Sequence, residues 1–360
     1  MWAREKESCQ ARSNLATFFL QARTTDRRLD IHEHLDKLDM KILWLNTWSL
    51  PCVTSTTHIQ GLASYLARSV LDDPTLDVVA LCEVFNSGNR ATLLHELRRH
   101  CGDAFLPLWP TSKGWGVADS GLLLLVRRGA IEVEKNENRV YHEIFSSCYH
   151  LDCISCKGFM GVCIRSTRSG ERLLLVTTHL QNAEVGFSIA TGTRVALQQL
   201  EQLLGRAQQW AGRVAAPRVV VLGDFNLAPK QVRAPVERRG YRVVAPWHGT
   251  TKDTEQTFDY ALVRGVGARV RVCSGDGDGV DSSQPSDHRA VLLDTTPLLC
   301  SSPSELLTRW GETKEEARWA GSNCGLAREH YDVGLYAYKR VCVVSLFIAL
   351  LSALSVIRYR

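Results

Sequence analysis

The chain has 360 residues, 45% hydrophobic and 22% charged, ordinary values for a globular protein with a sizeable core. The formal net charge of +5 is small for this length, so it neither demands nor excludes a polyanionic partner. The 12 cysteines are scattered, several inside predicted strands, and the first 28 residues do not read as a secretory signal; reduced thiols and a cytosolic catalytic portion are expected.

Residues 1–40 are charged and weakly patterned, an N-terminal extension with a short helix and a linker. The first clear strand is 41–48, where Ile42, Trp44 and Asn46 alternate with Leu43, Leu45 and Thr47. Helical spacing follows over 57–71, with Leu62, Tyr65, Leu66 and Val70 on one face. A second buried strand, 76–82, delivers Glu83 at its end. Residues 89–100 form another amphipathic helix. Strands at 105–110 and 120–127 flank a glycine-rich stretch, 112–117, which lacks the Gly-Lys-Ser/Thr ending and the helix of a phosphate loop.

Residues 129–156 are weakly periodic and read as surface strands and a long loop. Cys153-x-x-Cys156 has no second pair at a matching distance and is read as two incidental thiols. Strands 157–164 and 172–178 are joined by a turn at 168–170, and the second ends on His179. The strongest helix is 191–210, with Val195, Leu197, Leu200, Leu203 and Leu204 as its stripe. The strand 219–222 then stops at Gly223-Asp-Phe-Asn226. Strand alternation places Asp224 and Asn226 on one side, which must be a polar cleft because a carboxylate and an amide are costly to bury unpaired.

The tract 240–250 is irregular. Strand 256–263 carries Asp259 inside it, a carboxylate that needs a partner such as a cationic His. A short strand at 269–273, a Gly/Asp-rich loop at 274–281 and Ser286-Asp-His288 precede the last strand, 290–294. These elements make one domain, 41–296, followed by a polar linker, 297–334. The tract 335–360 has an uncharged apolar core of 17 residues, 341–357. That matches the short end of the roughly 17–25 residues of a spanning helix, and its Tyr, Lys and Arg flanks suit a bilayer interface. A C-terminal helix docked on the domain is the alternative.

Each polar residue has an ordinary explanation alone: a turn Asp or Asn, a solvated Glu, a structural His, a surface Lys. Together, Asn46, Glu83, His179, Asp224, Asn226, Asp259, Asp287 and His288 lie nearly all at strand ends. They suit metal-assisted hydrolysis of a phosphate ester. Hard oxygen donors hold Mg2+, and a His polarised by a buried Asp takes a proton from water.

The order Asn46, Glu83, His179, Gly223-Asp-Phe-Asn226, Asp259-Tyr260, Ser286-Asp-His288 resembles the endonuclease/exonuclease/phosphatase superfamily over about 41–294. The resemblance implies a four-layered α/β sandwich of two mostly antiparallel sheets flanked by helices. Within it, Leu45-Asn-Thr-Trp-Ser-Leu-Pro51, Asp77-Val-Val-Ala-Leu-Cys-Glu-Val-Phe85 and Asp152 five residues before Lys157-Gly-Phe159 resemble the neutral sphingomyelinase branch. The C-terminal hydrophobic anchor fits one eukaryotic branch of that family.

By resemblance, Glu83 is the main Mg2+ ligand, with Asn46 beside it and Asp287 in support; Mn2+ is the alternative ion. His288 is the general base, oriented by Asp259. Asp224 and Asn226 orient the water and the phosphate. His179 stabilises the transition state or assists the leaving group. Lys157 reaches the phosphate, and Asp152 pairs with it to hold the loop.

The expected activity is hydrolysis of sphingomyelin or a related phosphosphingolipid to ceramide and a phosphorylated head group. The alternatives are a nuclease or phosphoinositide phosphatase of the same fold, and a silent membrane-anchored lipid-binding protein. No nucleic-acid partner is expected. A tail-anchored, cytosol-facing domain on the endoplasmic reticulum is favoured over the plasma membrane, because the span is short.

Overall fold

The computed structural model describes residues 40–50, 54–110, 119–134, 140–153, 155–184, 187–216, 218–246, 248–252, 256–273 and 286–296. The N-terminal extension, the glycine-rich stretch 112–117, the loop 274–281, the linker and the apolar C-terminal segment lie outside these residues. Among the described residues no helix is long and apolar enough to cross a membrane.

In chain order the elements are β1 (Met40–Asn46), α1 (Thr56–Asp72), β2 (Leu76–Cys82), α2 (Ser87–Cys101), β3 (Phe105–Leu108), β4 (Leu123–Arg127), β5 (Ile131–Val133) and β6 (Tyr141–Ile144). A 3-10 turn (His150–Cys153) leads to β7 (Gly158–Ser166), β8 (Arg172–His179), α3 (Ile189–Arg213), β9 (Val219–Asp224) and α4 (Pro229–Glu237). The chain continues with β10 (Arg242–Val244), β11 (Asp259–Arg264), β12 (Gly267–Val272) and β13 (Val291–Thr296).

One sheet has the order β12-β13-β1-β2-β4-β3, the other β10-β11-β9-β8-β7-β5, with β6 also pairing β7. Among the described strands β1/β2 and β8/β9 run parallel and the other pairs are antiparallel.

Strand alternation explains the layering. Ile42 and Trp44 of β1 join Val78 and Ala80 of β2 in a core between the sheets, against Val162, Val220 and Leu222. The intervening Leu43 and Leu45 face α1 and α2, with Leu62, Leu66 and Leu93. On the far side, Leu200, Leu203, Leu204 and Trp210 of α3 pack on Leu174, Val176 and Val221. The result is helix, sheet, sheet, helix, the expected four-layered sandwich. β2 is buried at all seven positions, which is why it reads as a nearly apolar run; its one charged residue, Asp77, pairs with Arg168.

Three expectations are corrected. Cys148 and Cys153 form a disulfide, so Cys153 is not the reduced, incidental thiol expected from the sequence. Asn226 lies beyond the end of β9 with φ of +48°, so a left-handed turn places it beside Asp224, not strand alternation. Asp259 opens β11 instead of lying within a strand. Helix α4 and strand β10 also stand where no element was expected. Pro229 and Pro235 read as breakers in sequence, but Pro229 occupies the first turn, where its missing N–H costs nothing.

Candidate active site

Register brings the polar strand ends together. The parallel β1/β2 pair sets Asn46 opposite Cys82, which puts Glu83 one step beyond. The parallel β8/β9 pair sets His179 opposite Asp224, and the antiparallel β9/β11 pair sets Asp224 opposite Asp259. Asp287 and His288 arrive just before β13, the other neighbour of β1.

At the centre, Asn46 Nδ2 donates to Glu83 Oε1 at 3.1 Å and to Asp224 Oδ2 at 3.0 Å. Its Oδ1 accepts from the Trp48 N–H at 3.0 Å. Asn46 thus turns its nitrogen to the acids and orients Glu83; as placed, it does not offer them an oxygen. Asp224 Oδ1 accepts from the Asn226 N–H at 2.9 Å, and Asn226 Nδ2 donates to the Leu180 carbonyl at 3.1 Å. Glu83 and Asn226 both have positive φ, +60° and +48°. For Glu83 that conformation is strained, and such strain clusters at functional sites.

His288 and Asp259 form a dyad. His288 Nδ1 lies 2.7 Å from Asp259 Oδ2, and Asp259 Oδ1 accepts from the Trp44 indole Nε1–H at 2.8 Å. His288 Nε2 is 3.8 Å from Asp224 Oδ2, beyond hydrogen-bond reach. Burial disfavours the imidazolium, but the charges of Asp259, Asp224 and Asp287 outweigh it and hold His288 well above the usual histidine range.

His179 goes the other way. Burial and the charges of Lys157 and His288 hold it well below that range, so it is neutral. Lys157 Nζ, 3.1 Å from His179 Nε2, donates to it, which puts the His179 proton on Nδ1. Lys157 is itself buried. It donates to Asp152 Oδ2 at 2.8 Å and to the Leu180 carbonyl at 3.0 Å.

Two groups of residues carry oxygen donors that a cation could use. Asp224, Asp259 and His288 place donor atoms within 4.8 Å of one another. Yet both oxygens of Asp224 and both of Asp259 already accept hydrogen bonds. Glu83 differs: its Oε2 is buried and accepts no hydrogen bond from the described residues. Burial, then the charge of Asp287, pushes the Glu83 carboxyl up to about 7. A buried carboxylate oxygen without a donor is the group that a hard divalent cation would satisfy, so the residues fit one at Glu83.

Every site residue expected from the sequence is therefore in or beside this cluster. Sequence reading gave no role to Trp44, Thr250 or Ser286, although Ser286 stands in the Ser286-Asp-His288 motif. Ser286 Oγ donates to the Asn46 carbonyl at 2.6 Å and accepts from the His288 N–H at 3.1 Å. Thr250 Oγ1 accepts from the Asp259 N–H at 3.1 Å. Trp44 carried one signal, its place two residues before Asn46 on the same side of β1.

The cluster joins a cleft of about 520 Å³ at Asn226, with Asn182, Ile189, Pro229, Gln256 and Phe258 among its walls. Phe187 and Ile189, at the start of α3, are exposed large apolar side chains.

Two buried mixed sheets with a carboxylate, amide and histidine cluster at their strand ends define a hydrolase of phosphate esters. The match to a family model over residues 43–288 is to the Endonuclease/Exonuclease/phosphatase family, and the chain belongs to it. Sequence comparison with curated proteins gives no match. Among solved structures the fold is similar to beta toxin from Staphylococcus aureus, 16% identical, over 71% of this chain and 99% of that one, with a TM-score of 0.56. A double mutant of that toxin with bound magnesium ions is similar over the same shares, at 16% identity and a TM-score of 0.55. Sphingomyelinase C from Streptomyces griseocarneus is 18% identical over 71% of this chain and 99% of that one, with a TM-score of 0.51.

Proposed function

We propose that the protein is a divalent-metal-dependent phosphodiesterase of phospholipase C type, which cleaves sphingomyelin or a related phosphosphingolipid. The observation that carries this reading is Lys157. A buried ammonium held by Asp152 and set against His179, beside the Glu83 and Asp224 carboxylates, suits a phosphodiester that needs a fixed cation. The Asp152/Lys157 spacing also belongs to the sphingomyelinase resemblance, and the fold of sphingomyelinase C is similar.

In its neutral form His288, held at Nδ1 by Asp259, takes a proton from water at Nε2; the carboxylates around it favour the imidazolium, so the share of that form grows as pH rises. The water oxygen attacks phosphorus, the bond from phosphorus to the ceramide oxygen breaks, that oxygen takes a proton from solvent water, and His288 returns its proton to solvent. Lys157 steadies the phosphoryl charge as a fixed buried cation, its three N–H groups being held by Asp152, the Leu180 carbonyl and His179 Nε2. Glu83 would hold the divalent ion, which neutralises phosphoryl charge when bound; the magnesium in the toxin structure makes Mg2+ the first ion to test.

A lipid substrate at a bilayer fits the exposed Phe187 and Ile189 beside the cleft and the apolar 341–357 sequence. That segment would tether the domain to a membrane and raise the local substrate concentration.

A panel of vesicles containing sphingomyelin, inositol phosphoceramide or phosphatidylcholine, with and without Mg2+, tests this. One phosphosphingolipid should release ceramide with Mg2+, and His288→Ala should lower turnover about 100- to 10,000-fold. Intact phosphosphingolipids throughout the panel would refute the reading.

A further inference from the structure

The turn that carries Asp152 is cross-linked. The Cys148–Cys153 disulfide spans five positions of sequence. Inside this small loop His150 has φ of +57°, a left-handed conformation that a residue with a β-carbon adopts at a cost. Asp152 immediately precedes Cys153, so the cross-link restrains its backbone. Its Oδ2 accepts from Lys157 Nζ and from the Asn182 N–H, both at 2.8 Å. Lys157 Nζ then meets His179 Nε2. Only Asp152 and Lys157 separate the disulfide from the phosphate-facing side chains.

Beyond the disulfide, the loop is tied by the Tyr149 N–H, which donates to Gln181 Oε1 at 2.8 Å, by Tyr149 Oη, which accepts from the Phe187 N–H at 3.0 Å, by the Ser147 carbonyl, which accepts from Gln199 Nε2 at 2.7 Å, and by the His150 ring edge-on to Phe187. Among the described residues no strand pairing holds the turn 148–153, so its cross-link restrains Asp152 where a sheet ladder does not. Cys153 is exposed, so a dissolved thiol reaches it.

We infer that the Cys148–Cys153 disulfide is a redox-modification site that governs the position of Lys157: oxidised, it holds Asp152 against Lys157; reduced, it releases them and lowers turnover. The reductant is a dithiol. One of its thiolates attacks the Cys153 sulfur, the S–S bond breaks, and Cys148 leaves as a thiol. The second thiolate resolves the mixed disulfide, so Cys153 leaves as a thiol and the dithiol becomes a disulfide. Two electrons and two protons pass to the protein. A disulfide or peroxide oxidant reverses the change. In a reducing compartment the enzyme would idle, and oxidant would raise its activity.

The turnover arm of the test rests on the phosphodiesterase reading; the labelling arm does not. Full-length protein is assayed oxidised, after dithiothreitol, and after reoxidation. One readout is ceramide release from sphingomyelin vesicles with Mg2+. The other is the rate at which an amine-acetylating reagent modifies Lys157, followed by mass spectrometry. Reduction should lower turnover about 10- to 100-fold, the scale of a misplaced catalytic group, and speed Lys157 acetylation; reoxidation should restore both.

Cys148→Ser/Cys153→Ser should behave as reduced protein and ignore dithiothreitol. Cys156→Ser should still switch, which excludes a Cys153–Cys156 exchange. If the double variant fails to fold, the wild-type cycle gives the answer. Equal Lys157 acetylation in both redox states overturns the inference. If no phosphosphingolipid turns over in any state, the phosphodiesterase reading falls, while acetylation still decides the redox claim.

Discussion

Asp259 has both carboxylate oxygens engaged, one by His288 and one by the Trp44 indole. The first contact was expected from the sequence, since a carboxylate beside a strand needs a cationic partner. The second was not, because an indole in an apolar strand reads as core, and Trp44 is indeed fully buried. Trp44→Phe keeps the packing and removes the donor. It leaves Asp259 Oδ1 buried and unsatisfied, which costs about 1–3 kcal/mol. The urea midpoint should fall with an unchanged slope; an unchanged midpoint would show that the contact is not formed.

Glu134 gives a second test at this scale. Hydrogen bonds from Arg172, helped by Arg165, lower its carboxyl to about 2 from the ordinary 4.5. A depressed folded-state value adds stability above pH 4.5, which is lost as pH falls toward 2. The melting-temperature advantage of wild type over Glu134→Gln should therefore be larger at pH 7 than at pH 3. An equal difference at both values would contradict the assignment.

Strand ends were legible because each apolar run stops on one polar residue. Register was not legible from any single run, and it is register that sets Asn46 beside Glu83 and His179 beside Asp224. Gly223, inside β9, is required by a close approach: a Cβ there would stand 2.5 Å from the Thr178 carbonyl oxygen of β8. Gly158 has the same constraint, 2.2 Å from the Glu143 carbonyl of β6. Gly212, near the end of α3, has nothing within 4 Å.

Gly223→Ala should destabilise by about 1–3 kcal/mol through overpacking, whereas Gly212→Ala should be neutral or stabilise by up to about 1 kcal/mol. Denaturant titration of both variants checks the opposite signs; similar effects would refute the close approach. The 3-10 turn and its disulfide escaped the sequence because spacing alone cannot pair cysteines, and α4 escaped because two prolines masked it.

Across the whole molecule, two sheets bury a common core, and their polar strand ends meet at one edge. The superfamily was legible because that edge collects a fixed order of residue types, and the family match covers the same span. The 341–357 segment was legible only as apolar sequence.

In the proposed reaction, water activated by His288 attacks phosphorus and expels the ceramide oxygen. Hydrolysis of sphingomyelin vesicles in ¹⁸O-labelled water with Mg2+ tests it most directly. Label should enter the phosphorylated head group and not ceramide, and His288→Ala should give no product above the residual rate. Label in ceramide, or release of ceramide phosphate and free choline, would contradict it.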